Sequence, residues 1–205
     1  MNSAKHHVKL DHVVIFSDAI FAFSITIVLL SIQIPELPDN LNEEQIQGKL
    51  WELRPYFESY GISFAVIAVY WMSYHKVFNK ITGSHPVMVG LNLLFLFFIT
   101  LISLFTMLDI QYGSYRSVFI LYATILTLSG STLAFIWVHA QKSGILHNEV
   151  SPSLRKHILI QMIIPPSIFL ISIPISLINV DIAQYFWLLI IPLNFIVRKT
   201  KHNLE

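Results

Sequence analysis

The sequence predicts an all-α integral membrane protein of six transmembrane helices per subunit, with both termini cytoplasmic, forming a single membrane domain over residues 1–205. Three observations predict it. Hydrophobic residues make up 55% of the chain and charged residues 12%, and the mean hydropathy is +0.64; a soluble domain is typically about one quarter charged. Six apolar stretches recur along the chain, against a requirement of roughly 20 apolar residues per span. The basic residues fall on alternate sides of those stretches.

The first stretch, Val13–Ile34, is long enough to cross a bilayer, and is longer than the apolar core of a signal peptide. It reads as a retained helix. The loop from Pro35 to Ser59 holds Pro35, Pro38 and Pro55 and six acids, with an apolar scatter at Leu41, Ile46, Leu50 and Leu53. It is either a solvated loop or a short amphipathic helix on the outer surface whose acids raise the local cation concentration. Tyr60–Tyr74 is marginal in length, and a re-entrant or interfacial segment is the alternative there. Val87–Leu108, Val118–Val138 and Ile158–Ile178 meet the length requirement, the last with Pro165, Pro166 and Pro174 inside it. Proline removes a backbone donor and bends a helix, which a bundle tolerates where neighbours satisfy the freed carbonyls. Ile182–Val197 is again marginal and carries Pro192.

With six spans and a cytoplasmic N-terminus, Lys5, Lys9, Lys76, Lys80, Lys142, Arg155, Lys156, Arg198, Lys199 and Lys201 lie inside, and Lys49, Arg54 and Arg116 outside. Glu36, Asp39, Glu43, Glu44, Glu52, Glu58, Asp109 and Asp181 lie outside. There is no cysteine, which excludes disulfides, thiol catalysis and thiolate metal sites.

Asp18 is the only acid expected within any span, and an ionised group there costs a few kcal/mol or more unless paired or wet. Counting 1.5 Å per residue puts Asp18 about 9 Å inside its helix, in the cytoplasmic leaflet. The same count brings His12, Ser17, Trp71, His75 and Asn92 to that leaflet, where hydrogen bonds among them become feasible. For Trp71 or His75 singly, a place in the interfacial aromatic belt is the alternative. The first helix also carries two stripes. Phe16, Ile20, Phe23, Ile27, Leu30 and Ile34 follow spacings of three and four, beside Thr26; Ser17, Ser24 and Ser31 repeat every seven. The apolar stripe either packs within its own subunit or meets symmetric copies around an axis, where large apolar rings make a constriction that gates by dewetting.

The run Phe16-Ser17-Asp18 followed by an apolar helix with Thr26, together with Trp71, His75 and Asn92, resembles the transmembrane protein 175 family of potassium channels, whose signature is an arginine, three variable residues, then Phe-Ser-Asp. The chain fits that family's single six-helix unit, as in its prokaryotic members. Three positions depart from the pattern: the arginine falls on His12, the glycine after the aspartate is Ala19, and the aliphatic residue at the narrowest pore position falls on Phe23. The resemblance implies a homotetramer in a prokaryotic plasma membrane, its pore lined by helix 1. Phe23, Ile27 and Leu30 would form the constriction, with Thr26 the nearest polar ligand to a permeant potassium ion. His12, Phe16, Ser17, Asp18, Trp71, His75 and Asn92 would form a structural polar network. No Thr-Val-Gly-Tyr-Gly filter run occurs.

The expected function is therefore a potassium-permeable cation channel with no cofactor, no fixed metal site and no nucleic-acid partner. The alternative is a secondary transporter or proton pathway using Asp18; inverted repeats and broken midplane helices, the marks of that class, are not evident in helix 1. An enzyme is not expected, since neither Gly-x-Ser-x-Gly nor His-Glu-x-x-His occurs.

Overall fold

The computed structural model describes residues 9–30, 42–113 and 115–202. Ile34 and Ser31 of the two stripes lie outside the described residues. Helix α1 runs Leu10–Leu30 and α2 Glu43–Trp51, the latter opened by a capping box in which Asn42 Oδ1 accepts from Gln45 N and Gln45 Oε1 accepts from Asn42 N. Helix α2 occupies the expected loop and buries none of its residues. Helix α3 follows as Arg54–Phe78, longer at both ends than the apolar stretch 60–74 because its flanking turns are polar yet helical.

Helix α4, Pro86–Tyr112, starts with His85 Nδ1 accepting from Val87 N and with proline in its first turn, where a missing N–H costs nothing. Helix α5, Arg116–Lys142, ends where Gly144 takes the left-handed conformation (φ 66°) that glycine adopts without penalty. Helix α6, Pro152–Ser176, is capped by Ser151 Oγ and stays helical through Pro165, Pro166 and Pro174. The last stretch is broken. Helix α7, Val180–Phe186, passes through a 3₁₀ turn at Trp187–Leu189 into α8, Ile190–His202.

Among the described residues, five stretches are long and apolar enough to cross a membrane: Leu10–Leu30, Pro86–Tyr112, Arg116–Lys142, Pro152–Ser176 and Val180–Val197. Helix α3 has the length, but Tyr60, Tyr70, Trp71, Tyr74 and His75 lower its hydropathy. Its packing shows why for four of them: Tyr70, Trp71, Tyr74 and His75 turn their polar atoms to partners on neighbouring helices.

Helix α4 is the centre of the bundle. It packs against α1, α3 and α5; α5 packs against α6, and α6 against α7 and α8. Side-chain hydrogen bonds fix the relative directions. Asn92 meets Ser17 and Ser103 meets Ser24, so α1 and α4 run parallel; Tyr74 meets Ser17 and Ser63 meets Thr106, so α3 is antiparallel to both. The core joins Phe21, Ile67, Tyr74, Met88, Phe95, Ile99, Leu126 and Trp137, all at most 1% exposed. Tyr70 OH donates to Leu126 O at 2.7 Å, tying α3 to α5.

At the end of the bundle that holds Lys76, Lys80 and Lys142, the α3–α4 and α5–α6 turns pair through Ile81 and Leu146, with Thr82 N to Ile145 O at 2.8 Å and His147 N to Lys80 O at 3.0 Å. The last span joins the bundle through Trp187. Its Nε1 donates to Ser172 Oγ at 2.9 Å, and its ring stacks on Phe119 (centroids 5.3 Å) and meets Phe169 edge-on (5.2 Å).

Candidate functional site

Helix α1 divides cleanly into two faces. Val13, Ser17, Phe21, Ser24 and Val28, at spacings of four and three, are buried against the rest of the subunit. The neighbouring face is uncovered: Phe16 is 50%, Phe23 57% and Leu30 81% exposed, Thr26 is exposed, and Ile20 and Ile27 are half-buried. At Phe16, Phe23 and Leu30 the apolar stripe is therefore left uncovered by its own subunit, whereas Ser17 and Ser24 of the serine stripe are buried in it.

On the buried face, Ser17 and Asp18 serve two separate clusters, because consecutive helical residues point about 100° apart. Asp18 Oδ1 accepts from Trp71 Nε1 at 2.9 Å and sits 2.8 Å from His75 Nε2, a contact that requires a proton on that nitrogen. Trp71 and His75 lie one turn apart on α3, their rings edge-on with centroids at 4.7 Å. The aspartate and histidine side chains remain 42% and 26% exposed. A carboxylate that accepts two hydrogen bonds from a single neighbouring helix is held in place by it.

Ser17 Oγ is the hub of the inner cluster. It donates to Val13 O at 2.7 Å and accepts from Tyr74 OH at 2.8 Å and Asn92 Nδ2 at 3.0 Å, joining α1, α3 and α4 at one atom. The Tyr74 ring packs parallel to Phe95 and stacks on Phe78 at 4.0 Å. Two turns further along α1, Ser103 Oγ donates to Ser24 O at 2.7 Å and holds the helices at a second level.

Of the residues expected in the polar network, Ser17, Asp18, Trp71, His75 and Asn92 are brought together by these bonds. His12 and Phe16 are not: both are exposed on the first turns of α1 and make no hydrogen bond to either cluster among the described residues. Tyr74 was not anticipated. Its signal was present, since Ile67, Tyr70 and Tyr74 recur at three and four and are the buried stripe of α3. A further set of hydroxyls lies toward the opposite end of the bundle, with Ser63 Oγ 2.6 Å from Thr106 Oγ1 and Tyr122 OH 3.4 Å from it. On the uncovered face, Thr26 Oγ1 donates back to Ala22 O and Phe23 O, at 3.1 and 3.0 Å, which leaves its oxygen lone pairs outward.

Long apolar helices, a first helix pinned at two levels and a polar network within the bundle define an all-α, multi-pass integral membrane protein. Residues 12–102, from α1 through the greater part of α4, match the family model described as the endosomal/lysosomal potassium channel TMEM175.

Among curated proteins, the chain is similar to a potassium channel of Streptomyces collinus (25% identical over 134 residues, 63% of each chain) and one of Chamaesiphon minutus (25% over 169 residues, 80% of this chain and 83% of that one). A potassium channel of a Chryseobacterium species is 28% identical over 95 residues, 44% of each chain. The chain thus spans just under two thirds of the first of these relatives and less than half of the last. Among solved structures, a potassium-selective TMEM175 homologue from Chamaesiphon minutus superposes with a TM-score of 0.75 at 22% identity, covering 92% of this chain and 97% of that one. A threonine-to-alanine variant of the potassium channel MtTMEM175 gives 0.63 at 20% identity, covering 98% and 96%. The fold is that of these channels.

Proposed function

We propose that the chain is the subunit of a potassium-permeable cation channel, a homotetramer in the plasma membrane of a prokaryote, in which α1 of each copy lines a shared pore. One observation carries this reading: α1 is fastened by Ser17, Asp18 and Ser24 on one side, while Phe16, Phe23, Thr26 and Leu30 are left uncovered on the other. Phe23 and Leu30, with Ile27 beside them, give each copy a column of large apolar side chains. Around a four-fold axis these become stacked rings that exclude water, so an ion crosses at a cost set by ring diameter. Thr26 lies between two of the rings and supplies the nearest oxygen to a partly dehydrated cation. Ser17, Asp18, Trp71, His75, Tyr74 and Asn92 keep α1 at a fixed radius from the axis. The names of the bacterial relatives and the two superposed channels support potassium as the permeant ion.

A carrier that cycles protons through Asp18 is the weaker reading, because the carboxylate is clamped by two donors of one helix rather than poised between two faces. Planar-bilayer recording of the purified protein under opposed potassium and sodium gradients tests the proposal. Discrete current steps with a reversal potential near that of potassium are expected. Phe23→Ala should raise conductance and lower the potassium preference, and Phe23→Ser should do so more strongly. Phe21→Ala, turned about 200° away on the buried face, should change stability and leave selectivity alone. Slow saturable flux coupled to protons, or equal effects of Phe21 and Phe23, would overturn it.

A further inference from the structure

A groove of about 280 Å³ runs between α5 and α6. Ser131, Phe135 and Val138 of α5 form one wall, and Leu159, Ile163 and Ser167 of α6 the other. The groove follows the helix axes over about 16 Å, the rise from Thr127 to Val138. At its floor Gly130 lets the Pro166 ring approach α5 so closely that a Cβ at position 130 would lie 2.9 Å from Pro166 Cδ.

Both walls end on a lysine at the same end of the bundle. On α5 the stripe Ser131, Phe135, Val138 continues to Lys142 at spacings of four, three and four; on α6 the stripe Ser167, Ile163, Leu159 continues to Lys156 at four, four and three. The two helices are antiparallel, with Trp137 Nε1 donating to Arg155 O, so both lysines sit beyond the same mouth. Each lysine is exposed, and neither ammonium has a partner among the described residues. An apolar channel within two membrane-spanning helices, closed at its interfacial end by two unpartnered cations, matches a molecule with an acyl chain and a negatively charged head.

We infer that the α5–α6 groove is a binding site for an anionic phospholipid, one acyl chain lying along Ser131, Val138, Leu159 and Ile163 and the phosphate between Lys142 and Lys156. Both lysine stems are long enough to carry their charge to the headgroup layer. Each basic residue near an anionic headgroup strengthens binding about fivefold, so the pair contributes about thirtyfold. The inference is independent of what α1 conducts.

Native mass spectrometry of the intact detergent-solubilised assembly tests it, with dioleoyl phosphatidylglycerol, dioleoyl phosphatidylcholine or glycerol 3-phosphate added in turn. The wild-type chain should retain phosphatidylglycerol over phosphatidylcholine, and glycerol 3-phosphate should neither bind nor compete. The double variant Lys142→Gln, Lys156→Gln should lose that preference by about thirtyfold. Ser131→Phe, which fills the groove, should lower retention of both lipids; should it fail to fold, the exposed lysine pair still decides the matter. Retention of phosphatidylglycerol unchanged in the double lysine variant would overturn the site. So would competition by glycerol 3-phosphate, which identifies a free-phosphate site. Loss of the assembled mass in the lysine variant with lipid retention per subunit unchanged would also overturn it, since the face would then join two copies of the chain.

Discussion

Ser17 shows how much one small side chain can organise. Its hydroxyl is the acceptor for both Tyr74 and Asn92, so Ser17→Ala leaves two buried donors unpaired. Each orphaned group costs about 1–3 kcal/mol, and the melting midpoint of the detergent-solubilised protein should fall clearly. Ser24→Ala is the matched control. Ser24 is equally buried, but among the described residues its hydroxyl has no hydrogen-bond partner, and the bond from Ser103 is accepted by its backbone carbonyl. That variant should melt within the small range of a neutral substitution, about 0.5 kcal/mol. Equal losses at the two positions would show that α1 is held by packing alone. At this scale the sequence was informative about which residues meet, because depth counted along each helix is reliable for Ser17, Asp18, Trp71, His75 and Asn92. It was silent on how they partition. Adjacent residues share a depth but not a direction, and Tyr74 could be separated from the belt of interfacial aromatics only by the buried stripe it continues.

At the scale of elements, α5 and α6 meet where a glycine faces a proline ring. Proline at position 166 has no N–H and a rigid ring, so it cannot yield as a flexible side chain would. Gly130→Ala puts a methyl group 2.9 Å from that ring, and the helices must separate to admit it. Overpacking of this kind costs roughly 1–3 kcal/mol, read as a lower thermal midpoint. Gly61→Ala on α3 meets nothing within 4 Å and should be neutral or slightly stabilising, since alanine restricts the unfolded chain more than glycine does. The apolar pattern predicted the long helices to within a few residues but placed α3 too short at both ends. Hydrophobicity marks the part of a helix that meets lipid or core, whereas the backbone stays helical through Arg54–Glu58 and through His75–Phe78, where charge and side-chain hydrogen bonds replace it. The break at Trp187 in the last span had no comparable signal, because a 3₁₀ turn keeps the same apolar composition.

The whole molecule gathers most of its basic residues at one end of the bundle: Lys76, Lys80, Lys142, Arg155 and Lys156 lie at the ends of α3, α5 and α6 that hold the Asp18 cluster or adjoin its turns, against Lys49, Arg54 and Arg116 at the other. The charge asymmetry implies that this end is cytoplasmic and that α2 is outside. The chain has no cysteine of its own, so a single introduced thiol reports without background. In intact cells a membrane-impermeant thiol reagent should label Glu44→Cys and spare Asn148→Cys. The reverse result would invert the proposed orientation. The parallel course of α1 and α4, with α3 antiparallel between them, is what six successive crossings from a cytoplasmic N-terminus require. That much was legible in charge and hydropathy alone. The uncovered face of α1 was not, since a stripe at spacings of three and four looks the same whether it is buried by its own subunit or by a copy.

The last span, Val180–Val197, is the least buried of the five, and it is held mainly by the indole of Trp187 and the buried Ala183. A segment so attached opens without the rest of the protein unfolding, and its amides report that local opening rather than global stability. In deuterium-exchange measurements on the detergent-solubilised protein, the backbone amides of α7 and α8 should exchange well before those of α4. Trp187→Ala, which removes the bond to Ser172 and the stacking on Phe119, should speed exchange in this segment alone. The protein would then behave as a stable kernel of α1 and α3–α6 with an outer helix that detaches and re-docks, a division of cooperativity that no break in the chain announces.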